Sequence, residues 1–170
     1  SMRKGFTMIE LIFVIVILGV LASVAIPRLA ATRDDAEVAK AATNLTTAVS
    51  DITAYYTAKG TFYENKTSTN AGTKITDFTK LTNALDKSGN LNVKGKIACV
   101  SVTLPDEGGN STEVKITLNF GANGKDDAVC KQLRKLPGIL AMCGKSDKSS
   151  VGTSTSACKI QVGGSGGINF

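Results

Sequence analysis

Apolar positions crowd the start of the chain and turn periodic after it. Residues 6–26 (FTMIELIFVIVILGVLASVAI) carry one charge, Glu10. As a helix such a run is about 31 Å long, against a bilayer core of ~30 Å. From 28 to 59 there is neither Gly nor Pro, and Leu45, Ala48, Val49, Ile52 and Tyr56 recur at helical spacing. The pattern therefore predicts one helix over 6–59, roughly 80 Å long, apolar all round in its first half and striped in its second. Pro27 lies inside it and predicts a kink, because its ring crowds the carbonyl of Ser23 and offers that carbonyl no N–H. Gly19 is a second weak point. Gly60 is a candidate C-cap.

Beyond Gly60 the pattern loosens. Residues 60–95 are rich in Asn, Thr, Ser and Gly. Phe78, Leu81 and Leu85 suggest a short helix over 76–87 within this connection. Residues 96–104 (KIACVSVTL) read as a strand. Residues 113–120 (EVKITLNF) alternate, with Val114, Ile116, Leu118 and Phe120 inward, and the turn-rich 105–112 makes the two a hairpin. Residues 126–136 read as a helix with Asp126 or Asp127 as N-cap and Pro137-Gly138 as its stop. A third strand fits 158–162, and the Gly-rich tail from 163 reads as an edge or a flexible end. The fold class expected is α+β: a long helix packed through its second half on a small antiparallel sheet.

Glu10 is the anomaly. A carboxylate in such a segment costs roughly 2.5–3.5 kcal/mol on insertion scales, so it should have a partner. No Lys or Arg lies within 6–26. A cut after Gly5 would supply one, because the new α-amino group of Phe6 is one helical turn from Glu10. At this point Gly5-Phe6-Thr7-Met8-Ile9-Glu10 resembles the processing site of type IV prepilins and the related pseudopilins. The resemblance covers about residues 3–30, and beyond that only the architecture is similar. It implies that a prepilin peptidase cuts after Gly5 and N-methylates Phe6, that Glu10 pairs with Phe6 during assembly, and that Thr7 assists near the new terminus. Gly19 and Pro27 stand where the family loosens its helix. An ordinary secretory signal has only weak cut sites to offer, around 21–23 and 24–26, and would have a shorter apolar core.

The expected organisation is a leader, 1–5, an apolar helix, 6–27, and an exported head, 28–170. The head comprises the helix 28–59, a variable connection 60–95, and a sheet and disulfide region 96–170. Arg3 and Lys4 keep the N-terminal end cytoplasmic by the positive-inside rule, so the head faces the periplasm or the exterior. The resemblance implies an inner-membrane precursor that joins a helical homopolymer, an extracellular pilus or a periplasmic pseudopilus, through an inner-membrane assembly platform with its own ATPase.

The cysteines agree with export. Cys99, Cys130, Cys143 and Cys158 all follow the apolar run, and an even count in an oxidising compartment predicts two disulfides. Three pairings are possible. Cys99–Cys130 and Cys143–Cys158, which join sequence neighbours, are favoured, and the second would close the Gly/Ser/Thr-rich 145–156. With no histidine in the chain and no CxxC pair, zinc chemistry and the commonest general acid–base group are missing. No nucleotide-binding, hydrolase or metalloprotease motif is present. The reading is therefore a structural subunit, not an enzyme, with no cofactor and no metal. Residues 123–127 (NGKDD) offer calcium two carboxylates at best, and a turn with a helix cap is the plainer reading.

The net charge of +6 is spread without a run of five like charges, so DNA as a partner has only mild basicity behind it. Tyr55, Tyr56, Phe62 and Tyr63 cluster at the helix end, which suits packing of a helix on a sheet. Asn44, Asn65 and Asn110 fall in Asn-x-Ser/Thr triplets. A type II secretion pseudopilin and a minor tip subunit with an adhesive or DNA-binding role are the alternatives. The head carries no motif that separates adhesion, motility, DNA uptake and secretion.

Overall fold

The computed structural model describes residues 5, 7–107 and 112–164. It divides into two units, Ser1–Ala36 and Glu37–Phe170. Helix α1 (Met8–Lys59) crosses that division, and its assignment runs through Gly19 and Pro27 without a break. It ends as the sequence predicts: the Gly60 amide closes onto the Tyr56 carbonyl at 2.7 Å. The expected start at Phe6 lies outside the described residues.

In the second unit α1 buries a stripe of Val38, Ala41, Leu45, Ala48 and Ile52. The spacing of three and four residues keeps these on one face. Val49 and Tyr56, expected in the stripe, are half-buried at its margin. Along the polar side Thr43, Thr46, Thr53 and Thr57 each turn their hydroxyl to the carbonyl four residues back, at 2.7–3.0 Å. That habit satisfies the hydroxyl inside the helix and explains how a Thr-rich segment remains helical.

After α1 come the two-residue strands β1 (Tyr63–Glu64) and β2 (Thr73–Lys74), which pair with each other, and a 3₁₀ turn, Phe78–Lys80. A four-stranded antiparallel meander follows, in the order β3 (Asn90–Val93), β4 (Ile97–Thr103), β5 (Glu113–Asn119), β6 (Lys159–Gly164). Between β5 and β6 lie α2 (Ala128–Leu133) and α3 (Pro137–Met142).

Alternation puts Val100 and Val102 of β4 on one face and Cys99 on the other, where it is bonded to Cys130 of α2. The second disulfide joins Cys143, just after α3, to Cys158, just before β6. Both favoured pairings are therefore present. The core is one cluster that includes the α1 stripe, Phe62, Leu91, Val100, Ile116, Leu118, Phe120, Val129 and Leu133.

Three expectations need correction. The helix over 76–87 is only the 3₁₀ turn. Asp77 caps it by accepting from the Thr79 amide, and the buried hydroxyl of Thr82 donates to Asp51 of α1 at 2.8 Å, which favours turns over a continuing helix. Phe78, Leu81 and Leu85 are buried all the same. Residues 90–93, read as loop, form β3, whose three-residue connection to β4 has positive φ at Lys94 and Gly95.

The helix over 126–136 is shorter and has a companion. Asp127 caps α2, as anticipated, but Pro137 begins α3 instead of merely ending a helix, since a first-turn proline loses no hydrogen bond. Finally, the strand expected over 158–162 runs Lys159–Gly164 at the edge of the sheet, so Gly163 and Gly164 take the edge reading of the tail and not the flexible one. A Cβ on Gly163 would sit 2.3 Å from the Tyr56 ring, so the strand crosses α1 where only glycine fits. The remainder of the tail, 165–170, lies outside the described residues.

Candidate assembly helix

The first unit shows what the apolar run presents to its surroundings. Every large apolar side chain from Met8 to Ile26 is exposed; Phe13 is at 63% and Leu18 at 58%. Met8–Ile26 is long and apolar enough to span a membrane, and none of it is buried by the rest of the chain. Such a surface needs lipid or other helices around it.

Two polar side chains lie in Met8–Ile26, and each is bonded within the helix. Ser23 donates to the Val20 carbonyl at 2.7 Å. Glu10 accepts from the Thr7 amide at 3.1 Å, while the Glu10 amide donates to the Thr7 hydroxyl at 3.2 Å. This reciprocal pair is a capping box, Thr7-x-x-Glu10, which satisfies two of the free amides of the first turn. Thr7 and Glu10, singled out from the sequence, are thus brought together, but in a relation that the sequence reading missed. The Thr-x-x-Glu spacing ahead of an apolar run was the available signal.

The box also changes the argument about Glu10. Without any cut, the carboxylate already sits at the positive end of a helix dipole and accepts a backbone hydrogen bond. Among the described residues it has no counter-charge. The expected partner, Phe6, lies outside the described residues, as do Arg3 and Lys4. Gly5 is described and exposed, in no helix or strand. Gly19 has open space around it, and α1 continues past it.

In the second unit the carboxylates serve local structure. Asp127, one of the two considered for calcium, accepts from the Val129 amide at 2.9 Å and from Lys94 Nζ at 3.1 Å. Burial works to raise its carboxyl, but that amide and the Lys94 ammonium outweigh it and hold it below the ordinary value. Asp126 is exposed beside Lys125. The turn-and-cap reading of 123–127 therefore accounts for both. No group of three His, Cys, Asp or Glu suited to a metal occurs among the described residues.

Tyr55 stacks on Phe62 with ring centroids 6.3 Å apart, and Tyr56 meets the same ring at 5.0 Å. The aromatic group packs the end of α1, as its position suggested. The connection 60–95 is tied down by Glu107, which accepts from Lys66 and from the Thr61 hydroxyl, and by the Lys74–Asp106 pair at 2.7 Å.

Comparison with known proteins places these features. The model of the prokaryotic N-terminal methylation motif matches residues 1–26. Two relatives, both described as type IV major pilin protein PilE1 of Neisseria gonorrhoeae, are 38% identical over 77 residues. That stretch is 45% of this chain and 47% and 43% of the two relatives, so the match spans less than half their length. No solved structure gives a significant match. The methylation motif, the two pilin relatives and the α+β architecture behind a long apolar helix support assignment of the chain to the type IV pilin family, a family of structural subunits and not of enzymes.

Proposed function

We propose that this protein is a structural subunit of a type IV pilus-like filament. In this reading it waits in the inner membrane, is cut after Gly5 and methylated on Phe6 by a prepilin peptidase, and is moved into a helical homopolymer by an inner-membrane assembly platform. The observation that carries the reading is the bare apolar surface of Met8–Ile26, which falls within the methylation-motif match over residues 1–26. Lipid can cover that surface before assembly, and neighbouring helices can cover it afterwards. Glu10 would then set the register: its carboxylate, held by Thr7 at the helix start, gains a full counter-charge from a Phe6 α-amino group, its own or a neighbour's. Gly19 and Pro27 would be the points at which the helix gives when subunits pack.

Surface shearing of cells that make the protein natively, followed by mass spectrometry and electron microscopy, tests this. The expected result is filaments built from a chain that begins at N-methylated Phe6. A processed chain that stays in the envelope would move the assignment to a pseudopilin or minor subunit, and an uncut chain would overturn it. Glu10→Ala should remain in the membrane and fail to enter filaments, and Gly5→Ser should remain full length.

A further inference from the structure

The second unit has an open cleft of about 620 Å³ beside the sheet edge, between the turn at Asp86, the β3–β4 connection and the turn at Asn123-Gly124. Its walls are fixed. Asp86 accepts from the amides of Ser88 and Asn90 at 3.0 and 2.8 Å and from Asn92 Nδ2 at 2.9 Å. Burial works to raise the Asp86 carboxyl, but these donors prevail and keep it ionised. On the opposite side the Gly124 amide donates to the Ala98 carbonyl at 2.8 Å, so close that a Cβ on Gly124 would lie 2.4 Å from that oxygen.

Several polar groups at this cleft are left without use by the fold. Asn92 is oriented through its NH₂ group, and its carbonyl oxygen has no hydrogen bond among the described residues. The side chains of Asn123 and Lys96 are exposed and make no hydrogen bond or ion pair among the described residues. Ile97 and Ala98 add a small apolar surface. The Lys96 ammonium and the Asp86 carboxylate balance in charge, which disfavours a strongly ionic ligand. Carboxamides that both donate and accept, next to a fixed carboxylate and a short apolar wall, match the alternating hydroxyls and C–H faces of a sugar ring.

We propose that this cleft is a binding site for a neutral pyranose, as a free sugar or as one residue of a surface glycan. Asn92 and Asn123 would bond the ring hydroxyls, Lys96 would close the rim, and Ile97 would meet the C–H face. With no aromatic ring in the lining, the site would hold a single sugar weakly, with a dissociation constant on the order of 1 mM or more. A filament that repeats the site along its length would gain from multivalency. The site does not depend on whether the filament is a pilus or a pseudopilus.

The test is a ¹H–¹⁵N NMR titration of the full chain in phosphocholine micelles, which carry no sugar headgroup. The probes are the methyl glycosides of glucose, galactose, mannose and N-acetylglucosamine, each to 50 mM on the scale of weak single-site binding. At least one should shift the amides of Gly95, Lys96 and Gly124 along a saturating curve. Asn123→Ala and Lys96→Met, both at exposed side chains free of described partners, should each weaken that binding at least about fivefold. Shifts that do not saturate for any of the four glycosides, or that are unchanged in both variants, would overturn the proposal.

Discussion

Removal of each disulfide in turn asks how the head is held together. Chain entropy supplies the magnitude. Closing the 15-residue separation of Cys143 and Cys158 is worth about 3 kcal/mol. The same treatment gives about 3.7 kcal/mol for the 31 residues between Cys99 and Cys130. Alanine is the replacement of choice, because all four positions are buried and a serine hydroxyl there would need a partner.

The two losses should differ in kind as well as size. Cys99 and Cys130 lie in β4 and α2, amid core residues such as Val129 and Leu133, so their cross-link acts on the whole core. The 145–156 loop buries only Val151, whose amide donates to the Arg134 carbonyl at 2.9 Å. Without Cys143–Cys158, that loop should open locally. Urea unfolding of the full chain in detergent, followed by the tyrosine signal in near-ultraviolet circular dichroism, reads the head selectively, since Tyr55 and Tyr56 lie near the end of α1 and Tyr63 lies in β1. Cys99→Ala/Cys130→Ala should lose about 3–4 kcal/mol, and Cys143→Ala/Cys158→Ala about 3 kcal/mol, with fast exchange of the Val151 amide in the second variant alone. An unchanged midpoint in either double variant, or a slow Val151 amide after loss of Cys143–Cys158, would refute the reasoning.

Three further outcomes are expected. Leu45→Ala should destabilise the head by about 2–5 kcal/mol, whereas Leu18→Ala should leave its urea midpoint unmoved, because Leu45 is wholly buried and Leu18 is 58% exposed. Gly163→Val should cost the head about 1–3 kcal/mol of stability, read as a lower urea midpoint, since its side chain would enter the Tyr56 ring. Glu107 has a lowered carboxyl, chiefly through the hydrogen bond from Lys66 and then that from Thr61, so its contribution is present above the ordinary value of 4.5 and is lost as pH falls through the depressed folded value. Amide protection factors in 61–74, corrected for the intrinsic exchange rate at each pH, should therefore fall on acidification below about pH 4.5, and Lys66→Met should weaken that dependence; protection factors flat in pH would count against the Glu107 anchor.

How far the sequence could be read depended on which forces are local. The long helix, its end at Gly60, the two central strands and the disulfide pairs are carried by periodicity and spacing over short ranges. Segments 76–87 and 90–93 are decided by contacts from elsewhere. Thr82 is claimed by Asp51 of α1, and the two apolar residues of β3 are drawn into a sheet by β4. Glycine alone does not separate an edge strand from a flexible end in the tail; what decides it at Gly163 is close approach to Tyr56. In the first unit, Glu10 is legible as an anomaly from its charge alone, whereas its bond to Thr7 depends on where the helix starts.

Among the described residues, the exposed large apolar side chains all lie between Met8 and Leu29, and the second unit shows none. Cohesion and display are therefore encoded in separate stretches of sequence. Substitutions on the outside of the head meet water, not a greasy neighbour, and most such changes alter stability by no more than about 0.5 kcal/mol. In the proposed filament, the outer face of the head could then change while the apolar seam between subunits stays constant.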